Sequence, residues 1–252
     1  EITGTIKIIS SDAFNGCTSL YKVFNYSNLP LEEGSKNYGY VAYYAKSVVE
    51  LDKVDLKGDF QFQTIEGEHY LVNYVGEKSE VVLPTDYNGD SYQIAAAAFY
   101  NCDSVKAITI PAGVKAIGEG AFNGCDNLAS ISIAKDVVSI EADAFKGCGK
   151  LSELYVETLE SWLEVECGNK SSRPNSNGKT KLYIAGEMLK EVEIPAGITS
   201  IPDNAFCNCD SITSVIIPAE VEAIGAGAFA GCTTIASIVC NAEEAPVCGA
   251  KA

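Results

Sequence analysis

The chain of 252 residues has a single histidine, His69, and 18 lysines and arginines against 34 aspartates and glutamates, a formal net charge of −16. One imidazole leaves no histidine pair for a zinc site, and no convincing Ser/His/Asp or Cys/His set accompanies it. The scarcity of cations argues against nucleic acid, because phosphate binding needs clustered Lys and Arg, and against docking on anionic lipid. A phosphate-cradling glycine loop is also missing. No apolar run approaches the roughly 18 residues of a membrane-spanning helix. The start, Glu1-Ile2-Thr3-Gly4, lacks the basic end and apolar stretch of a signal peptide. Although 34 carboxylates supply acid pairs throughout, no enzyme is expected, and no catalytic, cofactor-binding or metal residues are assigned.

What the chain has is a period. Phe14, Phe99, Phe122, Phe145, Phe206 and Phe229 each follow Ala and precede a cysteine by three residues: Cys17, Cys102, Cys125, Cys148, Cys209 and Cys232. Phe99, Phe122 and Phe145 are 23 apart, as are Phe206 and Phe229. The offsets upstream repeat too, since Leu128, Ile131, Ile133, Val137 and Ile140 lead into Ala144 as Val105, Ile108, Ile110, Val114 and Ile117 lead into Ala121. Such a period marks stacked units, none of which can bury its apolar face alone. Within a unit, Leu-x-x-Ile-x-Ile reads as a strand with its apolar residues inward. Ala-Phe then fits a tight turn whose ring stacks on the next coil.

The six cysteines at one repeat position read as a column of free core thiols. Cys167, Cys207, Cys240 and Cys248 lie outside it, and Cys240 with Cys248 is the best disulfide candidate. Asp103, Asp126 and Asp210 follow ladder cysteines and raise the option of a shared cation, against which solvated turn aspartates are the simpler reading.

Two stretches interrupt the period, at about 25–80 and about 157–188, inside one solenoid spanning 1–252. Ile2, Ile6 and Ile9 fit the last offsets of a repeat that opens upstream, as in a trimmed protein. Of the 13 tyrosines, 11 fall between Tyr21 and Tyr100, so the first interruption has its own chemistry. The spacing of Tyr40, Val41, Tyr44, Ala45, Val48 and Val49 predicts a short amphipathic helix from Tyr38 to Leu51. Phe60, Phe62 and Thr64, then a turn at Ile65 to Glu68, then Tyr70, Val72 and Tyr74 predict a β-hairpin, followed by a third strand at Val81 to Leu83. Tyr87-Asn88-Gly89-Asp90 reads as a four-residue surface insertion. In the second interruption, Leu159, Trp162, Leu163 and Val165 predict a helical turn, Asn169 to Thr180 a loop, and Lys181 to Gly186 a hairpin strand.

Pro-x-x-Val-x-x-Ile-x-x-x-Ala-Phe-x-x-Cys-x-x-Leu resembles the BspA-like class of bacterial leucine-rich repeats, over the blocks 1–20, 80–156 and 189–240. Ala134 stands where that class usually has proline, and Val105, Ile212 and Ile235 where it has leucine. The resemblance implies a right-handed β-solenoid of short strands and turns or short helices, here with an inserted helix and hairpin. It also implies a cell-surface or secreted protein that binds host or microbial proteins, adhesion to matrix proteins among them, with no catalytic residues to transfer.

A partner would meet the outward strand positions, of which Thr109, Ser130, Ser132, Glu153, Tyr155, Glu191, Glu193 and Ser214 form the candidate binding face. Small residues at one end and Glu-Tyr-Glu-Glu in the middle suit a protein carrying basic groups. Two other readings stay open: a carbohydrate-binding module using Tyr155, Trp162 and the tyrosine cluster, and a structural spacer.

Overall fold

The computed structural model describes residues 2–3, 9–27, 29–50, 53–242 and 244–250. Ile6 and Leu51, which enter the sequence reading, lie outside them. Each 23-residue unit folds into one coil of a β-solenoid. Leu-x-x-Ile-x-Ile supplies the first side: Ala107–Ile110, Ser130–Ile133 and Glu153–Val156 pair parallel and in register. Alternation buries Ile108, Ile110, Ile131, Ile133, Leu154 and Val156 and turns the residues between them outward. Val-x-x-Ile supplies a second parallel ladder, including Val114–Ile117 and Ser139–Ile140. The sequence suggests one strand per unit. Two residues, Lys115 and Ala116, separate the buried ends of the second strand, which hides it from a period-two search.

The Ala-Phe turn closes the coil. Phe99, Phe122 and Phe145 stack with centroids 5.0 and 5.2 Å apart, and Phe206 stacks on Phe229 at 5.1 Å. The Phe99 and Phe122 N–H groups donate forward to the Ala121 and Ala144 carbonyls, at 2.7 and 2.8 Å. The cysteine thiols donate backward, Cys125 to the Phe99 carbonyl at 3.0 Å, Cys148 to Phe122 at 3.2 Å and Cys232 to Phe206 at 2.9 Å. Burial pushes the Cys148 thiol up to about 12 and Cys232 to about 11, so both stay protonated and donate. All ten cysteines are free. Cys17 is exposed rather than part of the buried column. Cys240 and Cys248 end strands of two different sheets, Ser237–Cys240 and Val247–Cys248, and the candidate disulfide is not formed.

The first interruption begins with a correction. Tyr38 to Glu50, the described part of that stretch, is not a helix: Tyr38–Tyr40 is one tight turn, and Ser47–Glu50 is a strand parallel to Lys22–Tyr26. The residues Tyr38, Gly39 and Tyr40 all have positive φ, which no α-helix accommodates. Gly39 accepts from the Phe14 N–H at 2.7 Å, as Ala121 accepts from Phe99, so the tyrosine stretch is itself a degenerate turn of the solenoid. The hairpin forms from Phe60–Ile65 and Glu68–Tyr74, as expected, with Asp55–Lys57 as an additional antiparallel strand. Glu80–Val82 does not extend it but pairs parallel with Ala107–Ile110, in the solenoid's first ladder. Tyr74 stacks on Phe99 at 5.4 Å, so the hairpin continues the phenylalanine column with a tyrosine. Tyr87 and Asp90 exchange backbone hydrogen bonds of 2.9 and 3.1 Å around the expected inserted turn.

The described residues form two hydrophobic cores. A small one centres on Val23, Leu31, Val41, Ala42 and Ala45, and the large one runs from Phe62 to Ala228. Tyr21 stacks on Tyr100 at 4.5 Å across the joint, and Lys46 pairs with Glu119 at 2.9 Å. Glycine suits position 120, whose φ of +56° L side chains rarely adopt, and a Cβ there would sit 2.2 Å from the Tyr21 hydroxyl and displace that ring. Lys22 Nζ reaches the Val72 carbonyl at 2.7 Å, Asn73 Oδ1 at 2.9 Å and the Ala97 and Ala98 carbonyls at 3.2 and 3.4 Å. Among the described residues no carboxylate meets it, and burial pulls its pKa from 10.5 to about 7.

The second interruption is one enlarged coil. Glu166–Cys167 and Lys181–Ile184 extend the two ladders, while the helix Leu159–Glu164 packs Trp162 and Leu163 inward. Arg173 stacks on the Trp162 ring at 4.6 Å and donates to the Trp162 and Val165 carbonyls at the end of that helix, at 3.3 and 3.5 Å. Beyond this coil both ladders stop. Glu191–Glu193 and Ser200–Ile201 begin two new three-stranded sheets. Side chains bridge the gap: Trp162 Nε1 donates to the Ala205 carbonyl at 3.0 Å and Asn175 Nδ2 to Cys207 at 2.8 Å.

Phe122, 1% exposed between two stacked rings, is the test of the column. Its replacement by alanine is expected to lower unfolding free energy by about 3–5 kcal/mol in a urea titration, against less than 1 kcal/mol for exposed Val138→Ala. For Lys22, the folded chain favours the neutral amine more than the unfolded chain does. Its destabilising effect is therefore full below about 7 and disappears as pH rises to 10.5. Wild type should gain stability relative to Lys22→Met across that window, and a pH-independent difference would contradict this.

Candidate functional site

The parallel register converts the outward strand positions into two rows. One holds Glu80, Ala107, Ser130, Glu153 and Lys181; the other holds Val82, Thr109, Ser132, Tyr155 and Tyr183. Thr109, Ser130, Ser132, Glu153 and Tyr155 thus share one sheet. Glu191, Glu193 and Ser214 stand on the next one, where Glu191 aligns with Ser214 and Ser237, and Glu193 with Ile216 and Val239. The unbroken Glu-Tyr-Glu-Glu centre is not formed, because Lys181 and Tyr183 follow Glu153 and Tyr155 and the ladder then ends. Lys181–Ile184 is the hairpin strand that the sequence predicts, and it also adds one position to each row of the face, which the sequence reading does not include. The Leu-Tyr-Ile alternation at 182–184 was the signal available.

Tyr155 and Tyr183 stack with centroids 4.4 Å apart and planes 17° from parallel. The Tyr155 hydroxyl donates to Glu153 Oε2 at 3.0 Å. Burial, and then the Glu153 carboxylate beside it, push the Tyr155 phenol up to about 12. Above the pair, Ile184 turns back through Ala185 and Gly186, both with positive φ, into Glu187–Met188. Between this hairpin, Tyr155 and the small side chains of Ser132 and Thr109 lies a cleft of about 430 Å³, floored by Ile110, Pro111 and Ala134. Glu157 is the one charged residue in its lining.

The other candidates fall elsewhere. Trp162 is 1% exposed and cannot serve as a ligand platform. Tyr40, Tyr43 and Tyr44 pack edge to face on one another, with centroids 5.2 and 4.9 Å apart. His69 lies between Thr64 Oγ1, 2.9 Å from Nδ1, and Asp90, 3.6 Å from Nε2, with its ring against Tyr87. Asp103 and Asp126 are exposed, and Asp210 pairs with Lys179 at 3.4 Å. Among the described residues no three His, Cys, Asp or Glu side chains converge on one point, and no helix is long and apolar enough to cross a membrane.

Among solved structures, the chain is similar to a leucine rich cell surface protein from Faecalibacterium prausnitzii, with 24% identity, a TM-score of 0.45 and 77% of this chain covered. It spans 56% of that protein's length. A leucine rich repeat protein of T. pallidum matches with 22% identity and a TM-score of 0.46, over 72% of this chain and 90% of the other. A leucine-rich repeat protein from Bacteroides ovatus matches with 22% identity and a TM-score of 0.47, over 77% and 55%. Comparison with curated proteins finds no significant match. The model of the BspA type leucine rich repeat region matches in six copies over residues 89–167 and 182–245, more than half of the sequence. The chain belongs to the BspA type leucine rich repeat family.

Proposed function

We propose that this protein is a non-enzymatic binding protein, displayed on or secreted from a bacterial cell, that adheres to host or microbial extracellular proteins through the outward face of its first sheet. The observation that carries this reading is the contrast between the two rows. Five coils present side chains in register, yet Ala107, Ser130, Thr109 and Ser132 leave a flat floor between Val82 on one side and the tyrosine pair on the other. A flat floor with an aromatic wall and carboxylates at its margin suits a protein surface carrying Lys or Arg. Family membership supports a role in protein interaction, and the surface location follows the same resemblance. Glu191, Glu193 and Ser214 form a second candidate patch on the following sheet.

A carbohydrate-binding role is the second reading, favoured by the stacked Tyr155–Tyr183 pair, since aromatic rings commonly carry sugars. A structural spacer would bind neither.

Surface-plasmon binding to a panel of extracellular matrix proteins, run in parallel with a glycan array, separates these readings. Charge reversal at Glu153 is expected to weaken protein binding by about tenfold and to reduce its salt dependence, whereas Glu191→Lys with Glu193→Lys tests the second patch separately. Unchanged binding in both variants would reject both patches. Binding confined to glycans and lost in Tyr155→Ala would replace the protein reading with the carbohydrate one.

A further inference from the structure

The cleft beside Tyr155 has a more specific shape than the face around it. Along the second outward row, Tyr183 and Tyr155 occupy successive coils as stacked rings, and Ser132 and Thr109 occupy the next two. Strands in a sheet lie about 4.8 Å apart, close to the spacing of stacked rings, so each of those two coils offers room for one more ring in the same column. One face of Tyr155 lies on Tyr183, and the other looks onto the Ser132 level. The tyrosine cannot swing freely into the space, because its hydroxyl is held by Glu153 at 3.0 Å.

The lining selects among flat ligands. Ile110, Pro111, Ala134 and Val156 make the depth of the cleft apolar, and its fixed polar groups are few. A sugar ring buried there would leave several hydroxyls without partners, at a cost of about 1–3 kcal/mol each. An aromatic side chain has no such groups to satisfy on its faces and gains about 0.5–1.5 kcal/mol from stacking beyond its burial. The charge at the rim is the Glu157 carboxylate, which no ion pair of the described residues neutralises.

We infer that this cleft receives an aromatic side chain from an extended segment of a protein partner, stacked on the open face of Tyr155 above Ser132, with a Lys or Arg of the same segment facing Glu157. The inference rests on the reading of this face as a protein-binding surface. The ring continues the tyrosine column by one level, and the hairpin turn at Ala185 and Gly186 closes the slot from above.

The probes are blocked peptides of sequence Gly-Lys-Trp-Lys-Gly, the same peptide with Leu in place of Trp, the same with Glu in place of Lys, and a cello-oligosaccharide. Each is titrated into the ¹⁵N-labelled full chain. The Trp peptide is expected to shift the amides of Thr109, Ser132, Tyr155 and Glu157, with the Leu and Glu peptides at least about tenfold weaker. Ser132→Tyr should fill the slot with the protein's own ring and abolish the shifts while the thermal midpoint holds; it also guards against Tyr155→Ala simply unfolding. Shifts that survive Ser132→Tyr, shifts caused by the oligosaccharide and not the peptide, or no shifts at these residues would each overturn the inference. Matrix-protein binding that survives Ser132→Tyr and is lost in Glu153→Lys would reject the slot and keep the face. Absence of binding to every matrix protein would reject the face itself.

Discussion

In the repeat, one coil completes the hydrogen bonds of another. The Phe122 N–H is satisfied by Ala144 of the next unit, and the Phe122 carbonyl receives the thiol of Cys148 from that same unit. Buried backbone groups must be paired, so every unit depends on the following one having the same shape at the same height. The 23-residue period follows from that dependence. A shift of one residue would take Phe122 off Phe145, the Cys148 thiol off its carbonyl and Ile131 off Leu154 together. Cysteine suits its position because it is small, apolar enough to be buried, and still has a proton to give.

The scaffold was legible in the sequence because those shared constraints repeat. Six copies of Ala-Phe-x-x-Cys locate the turns, and Ile-x-Ile locates the strands whose buried residues alternate. Where one constraint is met by other means, the pattern disappears while the coil persists. Gly39 replaces Ala at the Phe14 turn, and Tyr40 with Val41, Tyr44 and Ala45 then imitates helical spacing, although positive φ at Tyr38, Gly39 and Tyr40 forbids a helix. In the enlarged coil of the second interruption, Asn177 Nδ2 donates to the Phe145 carbonyl at 2.8 Å, taking the part that a thiol plays elsewhere. An amide for a thiol is invisible to a residue pattern and obvious to a donor count.

The face is less legible than the core for a related reason. Outward positions carry no packing constraint, so Thr109, Ser132, Glu153 and Tyr155 could be placed by alternation, but their neighbours depend on which strands are adjacent. That required knowing that Lys181–Ile184 pairs with Glu153–Val156 and that Glu191–Glu193 does not continue the same sheet. The tyrosine pair, the slot beside it and the separation of the two acidic patches all arise from this one junction.

The junction also has a mechanical meaning. A ladder spreads any load along a solenoid over many parallel backbone bonds. Between the enlarged coil and Glu191 both ladders are absent among the described residues, and the connection is made by the hydrophobic core, continuous from Leu182 to Val192, with Trp162, Asn175, Thr180 and Asn208 bonding across it. The seam thus differs in kind from the rest of the solenoid: packed apolar groups and side-chain bonds, rather than a run of parallel backbone bonds, hold one block of coils to the next.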